Sequence, residues 1–210
     1  MKVTVIGAGN MGSGFVKQLT IAGHQVSVTS RNLDKARLVA SANPGSSAIP
    51  AENAATNADI IVLATSYNDA VEALHSVGDL QGKVVIDISN PLTDDYMGLS
   101  IGHNTSAGEE IAKVVPNAHV VKAFNTVFAQ VLAEGADFGN DSKVSVFIAG
   151  DNAQSKQIVT KLAEDMGFKT IDAGGLKNAR YLEPLAGLNI YLGYGAGFGT
   201  AIAPTWIRKE

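Results

Sequence analysis

Short apolar runs alternate with longer amphipathic segments along the first 175 residues of the chain. The apolar runs are rich in β-branched residues, which is typical of strands buried on both faces of a parallel sheet. Strands are predicted at residues 2–6, 25–29, 48–50, 60–64, 84–88, 119–124, 144–149 and 169–172. The segments between them carry apolar residues at helical spacing, as do Phe15 and Leu19 after the first strand. This alternation predicts an α/β fold, namely a Rossmann-type, doubly wound and mainly parallel sheet.

The strand–helix alternation ends after residue 175. Residues 176–192 are predicted to form a helix that is kinked at Pro184 and Gly187. One face of this helix is expected to carry Leu182, Leu185, Leu188, Asn189 and Leu192. We therefore predict two parts: a Rossmann-like domain over residues 1–175, and a helical, glycine-rich C-terminal segment over residues 176–210 that does not fold independently.

A glycine-rich turn follows the first strand directly and leads into a helix. Its sequence is Gly7-Ala8-Gly9-Asn10-Met11-Gly12, which fits the pattern G-x-G-x-x-G. In such a turn the first glycine permits the tight reversal, the second lets a pyrophosphate approach the backbone, and the third lets the helix pack closely on the strand. The free N–H groups at the helix start favour an anion. An ordinary glycine-rich turn is the alternative, but the position between a strand and a helix favours a dinucleotide site.

The end of the second strand distinguishes NADP from NAD. NAD-binding folds place an Asp or Glu about 20 residues after the glycines, where it binds the ribose 2′-hydroxyl. This chain has no acid between Gly12 and Asp34, and it carries Ser30, Arg31 and Lys35 there instead. Arginine and serine can hold a 2′-phosphate that an acid would repel. The residues favour NADP(H), although Arg31 and Lys35 could also belong to a solvated helix start.

Polar side chains follow two later strands, at the edge where open α/β sheets bind ligands. Thr65 and Tyr67 follow the fourth strand, and Tyr67 either covers the cofactor or packs against the core. Asn90 and Pro91 follow the fifth strand, where the nicotinamide is expected. Lys122 is unusual on a central strand. It either points into the site or reaches solvent at a sheet edge.

Composition narrows the classes of function. The formal net charge of −4 argues against broad binding to nucleic acid or to an anionic membrane. The absence of cysteine excludes disulfides, thiolate metal sites and thiol catalysis. No stretch approaches the length of a membrane span, and the first strand leaves no room for a signal peptide. A cytoplasmic protein is expected, and no metal site is predicted.

Several sequence blocks together resemble the deazaflavin-dependent NADP reductase family (coenzyme F-420:NADP oxidoreductase) and its bacterial relatives. The blocks are GAGNMG at 7–12, SR at 30–31 with Lys35, SNPL at 89–92, VKAFNT at 121–126, GD at 150–151 and DAGGLKNARYLEPLAGL at 172–188. The resemblance implies that Gly9–Gly12 hold the pyrophosphate and that the 2′-phosphate contacts Ser30, Arg31 and Lys35. It also implies that the nicotinamide side is lined by Tyr67, Val71, Asn90 and Ala123.

Members of this family usually form dimers, and a small C-terminal part helps to bind the deazaflavin. A homodimer through residues 176–210 is therefore expected, and the aromatic content of that segment suits either an interface or a flat ligand: Tyr191, Tyr194, Phe198 and Trp206. The sequence differs from the family at two places, both on the substrate side of the expected site. Asn125 stands where family members carry a histidine before threonine, and the loop at 89–92 also differs.

Three functions are compatible with these residues. The first is hydride transfer between NADPH and a flat deazaflavin- or flavin-like acceptor, which needs ring stacking over a floor formed by Asn90, Pro91 and Asn125 rather than an acid or base. The second is reduction of a small carbonyl or imine, for which Lys122, Tyr67 or Tyr181 could donate the proton. The third is a non-enzymatic NADP(H) sensor. No residue is assigned as catalytic.

Overall fold

The computed structural model describes residues 1–139, 142–207 and 209. Within these residues, eight strands form one sheet in the order β3-β2-β1-β4-β5-β6-β7-β8. The strands are β1 (Lys2–Ile6), β2 (Gln25–Thr29), β3 (Ser46–Ala48), β4 (Ile60–Leu63), β5 (Val84–Asp87), β6 (His119–Lys122), β7 (Ser145–Gly150) and β8 (Lys169–Asp172). Neighbouring strands run parallel except β6 and β7, which pair antiparallel. The predicted α/β class and the mainly parallel Rossmann-type sheet are confirmed.

The helices alternate with the strands along the chain. They are α1 (Asn10–Ile21), α2 (Leu33–Ser41), α3 (Tyr67–His75), α4 (Ala107–Val114), α5 (Ala129–Glu134), α6 (Ala153–Asp165) and α7 (Ala179–Ile190). Short 3₁₀ turns form at Ala51–Asn53 and Leu176–Asn178, and a π-helical turn at Tyr191–Gly195 follows α7. In the described part of the chain, none of these helices is long and apolar enough to cross a bilayer.

Three strands, β4, β5 and β7, differ from the sequence prediction by one residue at one or both ends, and two others differ by two residues, each for a local reason. The third strand was expected at 48–50 but forms at 46–48, since Pro50 has no N–H to continue the ladder beyond Ile49. The sixth was expected to reach residue 124 but ends at Lys122. Phe124 adopts a left-handed backbone with φ 61°, which is incompatible with an extended strand.

Alternate residues of the central strands face two separate apolar layers. Ile60 and Val62 of β4 join the layer that contains Phe15 and Phe124. Ile61 and Leu63 point the other way, into the layer beneath α3 and α4. Because both faces of the strand are covered, its sequence is a continuous apolar run.

A buried ion cluster joins β5, β6 and α7. The ammonium of Lys122 lies 2.8 Å from both Asp87 and Glu183, and it also donates to the Ser89 carbonyl at 2.5 Å. Burial alone would lower the pKa of Lys122, but the charges of Asp87 and Glu183 outweigh it and the pKa is raised. Lys122 is 0% exposed. Both expectations for its position, in the site or in solvent, are therefore wrong.

The same cluster attaches α7 to α4. Glu183 accepts hydrogen bonds from the N–H groups of Ala107 and Gly108 at the start of α4, at 2.9 and 3.1 Å. Arg180 donates two hydrogen bonds to Glu109, at 2.8 and 2.7 Å. These contacts hold the C-terminal helix against the ends of the sheet strands.

The buried face of α7 carries polar as well as apolar residues. Leu182, Glu183, Ala186 and Asn189 are buried, whereas Leu188 is 54% exposed. The expectation that Leu188 shares a face with Leu182 is therefore wrong. Hydrophobic periodicity misled here because two of the buried positions are polar and find partners on other elements. Positions 208 and 210 of the predicted C-terminal segment lie outside the described residues.

Replacing Lys122 tests whether the ion cluster stabilises the fold. Lys122→Met keeps the apolar stem but leaves two buried carboxylates without a counter-charge, which is expected to cost about 3–5 kcal/mol of unfolding free energy. Urea denaturation measures the change. Lys161→Met is the matched control, because Lys161 is 66% exposed and pairs with Asp165 on the surface. It is expected to change stability by less than about 0.5 kcal/mol. An equally small effect of both variants would contradict the role of the cluster.

Candidate functional site

The glycine-rich turn lies between β1 and α1, at the point where the strand order reverses between β1 and β4. A Cβ atom at Gly7, where φ is +116°, would lie 2.3 Å from the Ala64 carbonyl oxygen. One at Gly12 would lie 1.9 Å from the Gly7 carbonyl oxygen. Packing therefore demands glycine at both positions. Gly9 differs, because a Cβ there would meet no described atom within 4 Å.

The backbone of the turn is thus open to a ligand at Gly9. Gly9 is also the N-cap of α1, and it has no side chain to bind the first N–H groups of the helix. Asn10 is exposed and Gly12 is buried beneath the turn. An open backbone at the start of a helix is suited to an anion such as a pyrophosphate.

A cavity of about 750 Å³ extends from the turn toward β2 and α3. Its walls come from the turn, the end of β2, the start of α2, the 3₁₀ turn at Ala51–Asn53 and the outer face of α3. The predicted site residues that line it are Gly7, Gly9, Ser30, Arg31, Lys35 and Thr65. The structure therefore brings the residues predicted for the 2′-phosphate to the same cavity as the turn. We refer to it as the charged cavity.

The charged cavity also contains carboxylates that sequence spacing did not reveal. Asp69 lies 3.1 Å from the guanidinium of Arg31, and Glu52 and Glu72 line the same cavity. Asp69 belongs to α3, so its spacing from the glycine-rich turn does not indicate a place near the ribose. The hydroxyl of Ser30 donates to the Asn32 carbonyl at 2.5 Å.

A second cavity of about 550 Å³ lies on the other side of the turn. It is formed by Met11, the ends of β5 and β6, the loop around residue 96, and the inner face of α7. Of the predicted site residues, it includes Met11, Asn90 and Asn125. Most of its other lining is apolar or aromatic: Ile88, Leu92, Tyr96, Met97, Phe124, Val127, Phe128, Ala129, Ala186, Ile190 and Tyr194. We refer to it as the apolar cavity.

Two asparagines interlock at the floor of the apolar cavity. Asn90 donates to the Asn125 carbonyl at 2.8 Å, and the Asn125 amide donates to the Asn90 side chain at 3.0 Å. The Asn125 amide also donates to the carbonyl of Leu182 on α7 at 2.9 Å. Since a carbonyl can only accept, this contact determines which way the Asn125 amide points. The left-handed backbone of Phe124 precedes Asn125 and directs it to the floor.

Six predicted site residues lie outside both cavity linings in the described structure: Asn10 and Gly12 of the glycine-rich turn, and Tyr67, Val71, Pro91 and Ala123. Pro91 and Ala123 are buried next in sequence to residues of the apolar cavity. Tyr67 is half-buried against the apolar layer beneath α3, and Val71 is 42% exposed. The pKa of Tyr67 is raised, first by burial and then by the carboxylates of nearby acids.

His75, His103 and Tyr181, whose side chains are capable of acid–base chemistry, lie outside the described linings of both cavities. His75 and His103 are exposed. Tyr181 lines a separate surface cavity with Trp206. Over residues 1–139, 142–207 and 209, no group of three His, Cys, Asp or Glu residues is placed to hold a metal ion.

Comparison with known proteins is consistent with this geometry. Residues 2–91 match the family model described as NADP oxidoreductase, coenzyme F420-dependent. The chain is 30% identical over 209 residues to the F420-dependent NADP reductase of Methanothermobacter thermautotrophicus, covering 91% of this chain and 89% of that protein. It is also 30% identical over 185 residues to the rat metalloreductase STEAP3, but it spans only 36% of that protein's length.

The fold agrees with a solved structure over nearly its whole length. The crystal structure of a proposed F420-dependent NADP reductase from Arthrobacter sp. FB24 has a TM-score of 0.85 and 30% sequence identity. The match covers 95% of this chain and 96% of that one. The chain therefore belongs to the family of F420-dependent NADP reductases and is an NADP-dependent oxidoreductase.

Proposed function

We propose that this protein transfers a hydride between the nicotinamide of NADP(H) and a flat acceptor of deazaflavin or flavin type. One observation carries the proposal: a charged cavity and an apolar cavity lie on either side of the glycine-rich turn, on the edge where Rossmann sheets bind dinucleotides. The names of the F420-dependent relatives support the same chemistry.

The charged cavity fits the adenosine half of NADP(H). The open backbone at Gly9 and the start of α1 would hold the pyrophosphate through Gly9, Asn10, Met11 and Gly12. Arg31 and Lys35, with Ser30, would hold the 2′-phosphate. Thr65 lies where the cavity meets the turn, and its hydroxyl oxygen is buried without a described hydrogen-bond partner. It is therefore suited to a ligand contact.

The apolar cavity fits the nicotinamide and the acceptor ring. NADPH supplies the hydride, and the protein's part is to place two flat rings in contact and exclude water. Asn90 and Asn125 form the floor, and Pro91 and Ala123 would support it from behind. No Lys, Arg or His is among the described residues that line this cavity. The lining therefore favours the uncharged face of a ring over an anionic group. Contact of the nicotinamide with Tyr67 and Val71 stays a prediction that rests on the family resemblance.

Reduction of a small carbonyl or imine has weaker support. That reaction needs a proton donor next to the substrate. Of the three candidate donors, Lys122 is fully buried in the ion cluster, Tyr181 lines a different cavity, and Tyr67 lies outside the described linings of the charged and apolar cavities. A sensor without enzymatic activity is distinguished by experiment, because it would bind NADPH without oxidising it.

We further propose that the protein works in the cytoplasm as a homodimer whose interface includes residues 176–210. The support for the dimer is the exposure of large apolar side chains in this segment. Leu188, Tyr191, Tyr194, Phe198 and Trp206 are each at least 53% exposed. Apolar and aromatic surfaces of this kind are typical of subunit interfaces. The absence of cysteine suits a reducing compartment.

Arg31→Ala tests the cofactor assignment. Loss of a charge-assisted phosphate contact is expected to weaken NADPH binding about ten- to a hundredfold, while NADH binding changes little. Calorimetric titration with each cofactor measures both affinities. Arg37→Ala is the control, because Arg37 is exposed, pairs with Asp34 and lies outside the described cavity linings. Equal NADPH and NADH affinity in the unaltered protein would contradict NADP specificity.

Tyr194→Ala tests the acceptor assignment. Tyr194 lines the apolar cavity and packs edge-on against Phe128 at 5.8 Å. With riboflavin or a deazaflavin as acceptor, its removal is expected to raise the acceptor KM about two- to tenfold and leave the NADPH Kd unchanged. NADPH oxidation followed by absorbance measures turnover, and Tyr181→Ala serves as the exposed-tyrosine control. If no flavin or deazaflavin oxidises bound NADPH, the proposed reaction is wrong.

Leu188→Glu tests the dimer. A charge placed in an apolar interface is expected to shift the protein from dimer toward monomer in sedimentation experiments. Leu38→Glu is the matched control, since Leu38 is 70% exposed on α2, away from residues 176–210. A monomeric unaltered protein, or the same shift in both variants, would speak against an interface through this segment.

A further inference from the structure

Arg31 forms an ion pair with a carboxylate of the same chain. Its Nη1 lies 3.1 Å from Oδ1 of Asp69, and both residues line the charged cavity. The side chain of Arg31 is 73% exposed and that of Asp69 is 38% exposed. The pair therefore joins the loop after β2 to α3 at the solvent-facing rim of the cavity.

Asp69 is held in place by the start of its helix. Ser66 is the N-cap of α3, and its hydroxyl donates to Oδ2 of Asp69 at 2.8 Å. The backbone N–H of Asp69 donates back to the Ser66 hydroxyl at 3.3 Å. This reciprocal arrangement orients the carboxylate, leaving Oδ1 directed to Arg31. The aspartate is thus the ordered partner, and the exposed arginine is the partner that can move.

We propose that Asp69 competes with the 2′-phosphate for Arg31 and thereby lowers the affinity of the site for NADP(H). The inference rests on the proposed function, because it assumes that Arg31 binds the 2′-phosphate. A phosphate that reaches Arg31 must displace Asp69 or share the guanidinium with it. In both cases the carboxylate of Asp69 disfavours binding of the 2′-phosphate at Arg31. NADH has no 2′-phosphate, so the opposition is specific to NADPH.

The surrounding charges add to this effect. Glu52 and Glu72 line the same cavity, so it contains three carboxylates together with Arg31 and Lys35. The opposite effect would be that Asp69 orders Arg31 for the phosphate. The contact uses one nitrogen of a largely exposed side chain, so little ordering is gained. Competition is therefore the larger contribution, and exposed pairs of this kind change equilibria by at most about fivefold.

Asp69→Asn tests the proposal with little disturbance of shape. The amide oxygen can still accept from Ser66, but the negative charge next to Arg31 is lost. NADPH affinity measured by calorimetry is expected to rise about two- to fivefold, with a much smaller change for NADH. The gain should shrink as salt is added, because screening weakens the competition between exposed charges.

Asp34→Asn is the matched control. Asp34 also pairs with an exposed arginine, Arg37, at 2.8 Å, and it lies outside the described lining of the charged cavity. The same charge change there should leave the ratio of NADPH to NADH affinity unaltered. A double-mutant cycle of Asp69→Asn with Arg31→Ala separates direct competition from general repulsion. If Asp69 competes for Arg31, most of the gain disappears when Arg31 is absent.

Three results would overturn the proposal. Weaker NADPH binding in Asp69→Asn would show that Asp69 positions Arg31, and an effect no larger than that of Asp34→Asn would show no competition. A gain that persists in full without Arg31 would show general repulsion only. A failure of the proposed function looks different, because the unaltered protein would then bind NADH as well as NADPH. That result would remove the phosphate for which Asp69 competes.

Discussion

The arrangement of the C-terminal helix depends on the buried ion pairs that the ammonium of Lys122 forms with Asp87 and Glu183. One cation lies between two carboxylates, so the cluster buries charge in the core. Such a charge is tolerated only if the remaining oxygens are hydrogen-bonded. Asp87 accepts from the N–H and hydroxyl of Ser89 at 2.8 and 2.7 Å, and Glu183 accepts from the start of α4. Each carboxylate is therefore satisfied, and the contacts of Glu183 form only when α7 lies in this position.

The cluster also lies next to the floor of the apolar cavity. Asp87 and Lys122 end the strands that lead to Asn90 and Asn125, and Glu183 lies one helical turn before Ala186. Each of these three following residues lines the apolar cavity. The contact of Asn125 with the Leu182 carbonyl connects the floor to α7 as well. A network of buried charges thus positions a cavity whose own described lining carries no cation.

The two cavities divide the chemistry of the site. The charged cavity holds the arginine, the lysine and all three of the carboxylates on that side, in contact with solvent. The apolar cavity is formed mainly by aromatic and aliphatic side chains over an amide floor, and its lining also includes Asp95 and Thr126. The glycine-rich turn separates them, because Gly9 belongs to the first cavity and Met11 to the second. A molecule with a charged end and a flat ring at the other end matches this division.

Sequence alone determined the fold class, nearly all the strand positions, the glycine-rich turn and the basic residues after β2. These features depend on local periodicity and on backbone demands within a few residues, so a single chain reveals them. The partners of Lys122, the polar buried face of α7 and the carboxylate facing Arg31 were decided only by the tertiary structure. In each case a charged or polar group meets a partner far away in the chain, and no spacing in the sequence encodes that meeting. Whether a lysine on a strand serves catalysis or packing depends on which distant carboxylates the fold brings to it.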